Sequence, residues 1–246
     1  MQLRRLDPLG GGRQRGEPVI RYYWRVFLDQ HRQDVRGRAL EIGSSETLTR
    51  YGNGAVQAAE VLDIAPRPGV SVVADLTRAD DLASDTYDCF VVPFTAHLLF
   101  DVDAALYHAI RLLKPGGVLL INFPCVDYNF ARGVDMGTGK PLFVFWWFTP
   151  LQVENLLRRA GLQAGDFEIA IYGNLFARVA YQMNMPAEEL TASERGHADP
   201  GHPLLICVRV VKPAQWSVAR PDYREAWVPD VTPAQWNRRT GHYPGP

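Results

Sequence analysis

The chain has 246 residues, of which 47% are hydrophobic and 22% are charged, and its formal net charge is −1. This length can bury a large core and the composition is ordinary for a globular protein, so one α/β domain with additions is expected. The near balance of acidic and basic side chains argues against a nucleic-acid partner, which normally requires a basic surface.

The cysteine content excludes further classes of protein. Cys89, Cys125 and Cys207 are far apart in the sequence and form no metal-binding pattern. Cys89 and Cys207 lie in apolar, strand-like runs, where a free thiol usually belongs to the core. No signal peptide is visible, and no apolar run reaches the length of a membrane span. We therefore expect a cytoplasmic protein without a structural metal.

A flexible arm and a helix are predicted before the first strand. Residues 1–16 are polar and glycine-rich, which is typical of a mobile end. Residues 18–35 have apolar side chains at helical spacing, and Pro18 suits the first turn of a helix. The first strand is predicted at residues 38–43 and a short helix at residues 46–51.

The middle of the chain continues the alternation of strands and helices. The next strands are predicted at residues 58–64, 70–74, 87–93 and 118–123. The third of these is nearly all apolar, which is typical of a strand that is buried on both faces of a parallel sheet. The helix that follows it is expected to begin at Asp101 or Asp103 and to end at a Lys-Pro-Gly-Gly turn.

Another helix and two more strands complete the predicted domain. The helix is capped by Thr149 and ends at Gly161. The last two strands, at residues 167–172 and 204–211, flank an insertion at residues 173–200. Strands that alternate with helices in this way predict a doubly wound sheet with a parallel core.

The tail at residues 213–246 contains the sequence Pro-Ala-Gln-Trp twice. Two copies do not make a repeat architecture. We predict that the tail either drapes over the domain through Trp216, Trp227 and Trp236 or forms homodimer contacts.

The ends of the first two strands have the layout of a nucleotide-type cofactor site. Glu41 and Gly43 end the first strand, and Asp63 ends the second, 22 residues after Glu41 (63 − 41). The glycine lets the backbone approach a ligand, and the second acid accepts hydrogen bonds from ribose hydroxyls. The further glycines of the dinucleotide fingerprint are missing, which disfavours a nicotinamide oxidoreductase. Because Glu41 and Glu46 would repel a pyrophosphate, the cationic S-adenosylmethionine (SAM) fits better.

Four motifs in this order resemble those of the class I SAM-dependent methyltransferases. The matching residues are 40–43, 61–63, 72–76, and 87–92 together with 112–120. The resemblance implies a Rossmann-like, doubly wound sheet of seven strands, mostly parallel with the last strand antiparallel and with helices on both faces. It also implies a methyltransferase domain at residues 17–212, with an N-terminal lid helix at residues 17–36.

A closer resemblance extends beyond this core. The segments 15–23, 147–150 and 186–191 are similar to those of a bacterial subgroup that is often associated with glycosyltransferases. With these segments, the resemblance covers residues 13–213.

The resemblance also implies which residues contact the cofactor. Glu41 is expected to hold the methionine ammonium, Asp63 the ribose, and the segment at Asp75 the adenine. The complete predicted set is Glu41, Gly43, Ser44, Asp63, Ile64, Asp75, Leu76, Phe94 and Tyr22. Ordinary structural roles are the alternatives: a helix cap or salt bridge for Glu41, a turn for Asp75, and packing against the sheet for Tyr22.

Candidate residues for catalysis and for acceptor binding follow the fourth and fifth strands. His97 is a candidate general base for an acceptor hydroxyl, and its alternative role is packing or capping of the next turn. Asp127 and Tyr128 are predicted to contact the acceptor. Trp146 and Trp147 belong to an aromatic run that fits a pocket wall and the core equally well.

We therefore expect transfer of the SAM methyl group to a small-molecule, secondary-metabolite or glycan acceptor, most simply by O-methylation, without a metal. Two alternatives remain open. The short glycine loop and the aromatic run also allow a SAM-supported rearrangement or cyclisation. A non-catalytic, methyltransferase-like partner subunit is the other alternative.

Overall fold

A computed structural model of the protein describes residues 8–9, 15–126 and 143–228, and the structural statements that follow refer to these residues. The strands are β1 Gly37–Ile42, β2 Val56–Asp63, β3 Val72–Val73, β4 Tyr87–Val92, β5 Leu113–Pro124, β6 Phe167–Tyr172 and β7 Leu205–Val211. The α-helices are α1 Val19–Gln30, α2 Glu46–Tyr51, α3 Val102–Leu112, α4 Pro150–Arg159, α5 Leu175–Gln182 and α6 Ala192–Gly196.

The seven strands form one sheet in the order β3-β2-β1-β4-β5-β7-β6. The pairs from β3 to β5 are parallel, whereas β7 runs antiparallel to both β5 and β6. This arrangement confirms the predicted sheet, in which only the last strand is antiparallel. The carboxyl ends of β1, β2 and β4 therefore meet at one edge, where open α/β sheets bind their ligands.

Each face of the sheet is covered by a separate apolar layer. Leu40 and Phe90 belong to the layer that α3 and α4 cover, whereas Ala39 and Cys89 belong to the layer under α1, α2 and α5. This alternation is the two-residue period of a strand that is buried on both faces. Burial raises the pKa of the Cys89 thiol to about 12, as expected for a core cysteine.

Three element boundaries differ from the sequence prediction. Helix α1 ends at Gln30 instead of continuing to residue 35, and Asp34 turns back to pair with Arg209 of β7 at 2.8 Å. The predicted turn before the fifth strand belongs to β5 itself, because the Gly116 N–H donates to the Lys212 carbonyl at 2.9 Å and prolongs the pairing of β5 with β7. The third strand is only two residues long.

The tail at residues 213–228 lies along α3 and α4. The Trp216 indole donates to the Ala160 carbonyl at 2.8 Å, and Arg224 pairs with Asp101 at 2.9 Å. The draping predicted through Trp216 is therefore present, whereas Trp227 is exposed and Trp236 lies outside the described residues. No helix in the described part of the chain is both long and apolar enough to cross a membrane.

Candidate functional site

A cleft of about 380 Å³ opens between α1 and the carboxyl ends of β1 and β4. Its lining mixes carboxylates, guanidinium groups and aromatic rings. The lining residues are Glu17, Arg21, Trp24, Arg25, Leu28, Glu41, Ile42, Gly43, Ser44, Glu46, Thr47, Arg50, Tyr51, Pro93 and Phe94. Both signs of charge therefore face the same small space.

One face of α1, together with Glu17 two residues before the helix, forms the outer wall of the cleft. Its lining positions recur at intervals of three or four residues, as on one side of a helix. The Arg21 guanidinium lies 5.0 Å from the centre of the Phe94 ring, and Trp24 meets the same ring edge-on at 6.4 Å. Tyr22 lies outside the lining and contacts Arg25 and Arg195 instead. The structure therefore places α1 at the wall of the cleft and Tyr22 on a neighbouring face of that helix.

The start of α1 is fixed by the insertion between β6 and β7. The Glu17 N–H donates to the Glu188 carboxylate at 3.1 Å, and the Ala187 N–H donates to the Glu17 carbonyl at 2.7 Å. Gly16 has a φ of +138°, and a Cβ there would lie 2.8 Å from Pro186 Cβ, so a side chain at this position would be strained. The segments 15–23 and 186–191, which the sequence singled out separately, therefore contact each other.

Glu41 at the end of β1 is both a cleft residue and a helix cap. Its carboxylate is 1% exposed and accepts the N–H groups of Thr47 at 2.9 Å and Leu48 at 3.1 Å. These bonds satisfy free N–H groups at the start of α2. Burial raises the pKa of Glu41, although the hydrogen bonds act in the opposite direction. The capping alternative is thus present in the structure, and it leaves the acid at the cleft wall.

Gly43 and Phe94 mark the two sharp turns at this sheet edge. Gly43 has a φ of +81°, and its N–H donates to the Leu62 carbonyl at 2.9 Å, so the first turn requires glycine. The next residue, Ser44, lines the cleft. Phe94 has a φ of +45°, a rare conformation for a bulky residue. Its N–H donates to the side-chain oxygen of the fully buried Asn122 at 2.9 Å.

Asp63 lies beside the cleft, at the end of β2. Its carboxylate accepts the Arg67 Nε–H at 2.9 Å, and Arg67 Nη2 contacts both this carboxylate and the Gly43 carbonyl. Ile64, the next residue, is 57% exposed and offers an apolar surface next to the acid. The end of β2 therefore combines a carboxylate acceptor with an exposed apolar side chain.

Asp75 and Leu76 follow β3 but do not line the cleft. The Asp75 carboxylate accepts the N–H and the hydroxyl of Thr77, each at 2.8 Å, and so begins a short 3₁₀ turn. Leu76 is buried in the core. The turn alternative for Asp75 is thus present in the structure.

His97, Trp146 and Trp147, the described members of the predicted catalytic and acceptor set, lie outside the cleft lining. His97 is buried in a short turn after β4, and its carbonyl accepts the Phe145 N–H at 2.9 Å. The Trp146 indole donates to the Leu99 carbonyl at 3.0 Å, whereas Trp147 is 53% exposed. Asp127 and Tyr128 lie outside the described residues. No group of three or more His, Cys, Asp or Glu side chains within the described ranges could hold a metal ion.

Several cleft residues were not predicted from the sequence. Arg21, Trp24, Arg25 and Arg50 line the cleft, and Asn122 supports its floor. Helical spacing could have identified the first three as one face of α1. For Asn122, the only indication in the sequence was a polar amide side chain within the apolar run that forms β5.

Comparison with known proteins finds a family match that spans this sheet edge. Residues 39–121, from β1 into β5, match the family described as a methyltransferase domain. The match contains Gly43, Asp63 and Phe94, and it confirms the resemblance to class I SAM-dependent methyltransferases over these residues. The cofactor that this family implies is SAM. No curated protein matches the sequence significantly.

Several solved structures are similar to the chain. A SAM-dependent methyltransferase from Mesorhizobium loti is 18% identical, with a TM-score of 0.48, over 78% of this chain and 97% of that one. Another from Thermotoga maritima is 18% identical, with a TM-score of 0.46, over 79% and 96% of the two chains. The [4+2]-cyclase SpnF is 16% identical, with a TM-score of 0.43, over 75% and 81%.

Proposed function

We propose that this protein transfers the methyl group of SAM to a hydroxyl of a small-molecule or glycan acceptor. The observation that carries the proposal is the mixed charge of the cleft beside Gly43. The methionine end of SAM has an ammonium and a carboxylate, and a site for both needs groups of both signs. Glu41 and Arg21 supply them within one lining.

The proposed pose follows the sheet edge from β1 to β2. Arg21 pairs with the carboxylate of SAM, and Glu41 accepts from the ammonium through the lone-pair capacity that its helix-capping bonds leave free. The backbone at Gly43 and Ser44 passes close to the ligand. Asp63 receives the ribose hydroxyls, and Ile64 packs against the adenine, with the segment at Asp75 further along the same edge.

Helix α1 completes the site by covering the methionine end. Its apolar side chains Trp24 and Leu28 line the cleft, so closure of the helix removes water from around the charged groups. SAM supplies an activated methyl group on its sulfonium. The task of the protein is to align the acceptor with that carbon, and alignment alone accounts for much of the rate in such reactions.

The acceptor is proposed to lie beyond Phe94, on the side of the chain that continues to Trp146 and Trp147. Asp127 and Tyr128 are proposed as further acceptor contacts. His97 remains the candidate base because it follows β4 directly, although its burial means that the turn at residues 96–98 must open to expose the imidazole. If His97→Gln leaves turnover unchanged at saturating acceptor, the base is not His97.

The experiment combines calorimetry with product analysis. Titration with SAM measures binding, and incubation with a panel of sugars and phenols is followed by mass spectrometry of both products. We expect S-adenosylhomocysteine together with an acceptor heavier by one methyl group in place of one hydrogen. An acceptor rearranged at unchanged mass, with SAM intact, would favour the cyclisation alternative. No binding of SAM at millimolar concentration would contradict the proposal.

A further inference from the structure

The guanidinium of Arg67 is hydrogen-bonded to both polar groups at the ribose end of the proposed site, the Asp63 carboxylate and the Gly43 carbonyl. Arg67 belongs to the loop after β2, and its Nε donates to Asp63 Oδ2 at 2.9 Å. Its Nη2 contacts the same oxygen and the Gly43 carbonyl. Apart from chain neighbours, Arg67 Nη2 is the only described atom within 4 Å of a Cβ built on Gly43, at 3.9 Å. A single side chain thus covers the bare backbone and the acid together.

The hydrogen bonds that Asp63 already accepts leave too few acceptor positions on its carboxylate for a ribose. Oδ2 takes both contacts from Arg67, and Oδ1 accepts the Ala65 N–H at 3.3 Å. A carboxylate has about four acceptor positions, of which these bonds use all but one. A ribose held through both of its hydroxyls needs two positions. The nucleoside and the Arg67 side chain therefore compete for Asp63.

The loop backbone holds Arg67 in place without depending on that ion pair. The Arg67 carbonyl accepts the Val70 N–H at 3.0 Å, with Pro68 and Gly69 as the two central residues of the turn. Proline followed by a glycine at φ +88° is the pattern of a type II turn. The Ser71 N–H then donates to the Val61 carbonyl at 3.1 Å and fixes the loop to β2. Only the side chain of Arg67 has to move.

We propose that Arg67 is a gate that closes the ribose position and swings into solvent when a nucleoside binds. The inference rests on the proposed function, because it takes SAM as the ligand. The Arg67 side chain is already 36% exposed, so open water lies next to it, whereas the Asp63 side chain is 12% exposed. Because an ion pair with one exposed partner is weak, the gate lowers nucleoside affinity without abolishing it.

The test measures calorimetric binding of SAM and of adenosine to the wild type, Arg67→Ala and Arg67→Gln. Removing Arg67 both frees Asp63 and takes away a positive charge that repels the cationic SAM. Adenosine has the same ribose but no net charge, so its affinity reports only on the release of Asp63. The matched control is Arg158→Ala, which removes an arginine from another exposed (i, i+4) pair, with Glu154 on α4.

We expect both Arg67 variants to bind SAM and adenosine about three- to tenfold more tightly, as the loss of a weak competing pair predicts. The control should bind like the wild type. Adenosine binding that is unchanged or weaker in the Arg67 variants, while the wild type still binds SAM, would overturn the gate and leave the proposed function standing. Failure of every protein to bind either ligand at millimolar concentration would overturn both.

Discussion

The guanidinium carbon of Arg21 lies 5.0 Å from the centre of the Phe94 ring, so the helix that covers the cleft touches the strained turn at the end of β4. This cation–π contact joins two elements that are more than 70 residues apart in sequence (94 − 21 = 73). It holds a positive charge in the same cleft lining as Glu41 and Gly43. The contact is the structural basis for assigning the carboxylate of SAM to Arg21.

Replacing Arg21 with alanine should weaken SAM binding by about tenfold, because one charge-assisted hydrogen-bond partner is lost. Adenosine has no carboxylate, and its affinity should not change. Calorimetry with both ligands makes the comparison. Arg32→Ala, which removes an exposed arginine just beyond α1, is the control and should behave like the wild type. An equal loss of affinity for SAM and adenosine would show that Arg21 acts through the fold.

Glu41→Gln should stabilise the protein at neutral pH relative to the wild type. Burial raises the pKa of Glu41 above its ordinary value of 4.5. The stability that this group contributes is therefore complete below that value and is lost as the pH rises through the raised pKa. Glutamine keeps an oxygen for the Thr47 N–H without a buried charge.

Urea denaturation of both proteins at about pH 4 and about pH 7 tests this prediction. The free energy of unfolding of the wild type, minus that of the variant, should be smaller at about pH 7 than at about pH 4. A difference that stays constant or rises with pH would mean that the hydrogen bonds from α2 outweigh the burial of the charge.

Asn122→Leu should lower the free energy of unfolding by about 1–3 kcal/mol, the typical penalty for an unsatisfied N–H in a protein interior. The variant removes the acceptor of the Phe94 N–H and leaves Phe94 at a positive φ without its support. Chemical denaturation measures the loss. Asn155→Ala, which removes an exposed amide from α4, should cost far less. If both variants cost the same, the bond from Asn122 does not hold the turn.

Arg224→Ala should detach part of the tail and make the protein less stable at neutral pH by about 1 kcal/mol, since the arginine itself is half exposed. Burial acts to raise the pKa of Asp101, but hydrogen bonds from Arg224 and from the Ala104 N–H lower it below 3.8 overall. The stabilisation is therefore present above pH 3.8 and is lost as the pH falls through the lowered pKa.

The measurement for the tail is denaturation at neutral and at acidic pH. The difference between the wild type and Arg224→Ala should shrink in acid. Arg220→Ala is the control, because Arg220 and its partner Asp80 are both exposed, and it should change stability little at either pH. A loss from Arg224→Ala that is as large in acid as at neutral pH would contradict the assignment to the Asp101 pair.

Local sequence signals were sufficient to predict the sheet edge. Apolar runs located the strands, and an acid or glycine at the end of a run located Glu41, Gly43 and Asp63. These features depend on residues that are neighbours in sequence. The same reasoning predicted the antiparallel last strand only through the family resemblance, because periodicity contains no information on strand direction.

Contacts between distant segments could not be predicted from the sequence. Helical spacing defines the faces of α1, but the choice between Tyr22 and Arg21 for the cleft depends on where the helix docks. That docking is fixed by Glu188, which is 171 residues from Glu17. The sequence located Asp63 near the end of the second strand, but its pairing with Arg67 depends on the turn that the loop adopts.

The central claim is that the ends of β1 and β2 form a SAM site with Asp63 at the ribose. Titration of SAM into the wild type and Asp63→Ala tests it most directly, with Glu60→Ala as a control because Glu60 pairs with Arg38 on the same strands away from the cleft. We predict that the wild type and the control bind alike and that Asp63→Ala binds at least about tenfold more weakly. Equal affinity of Asp63→Ala and the wild type would contradict the account.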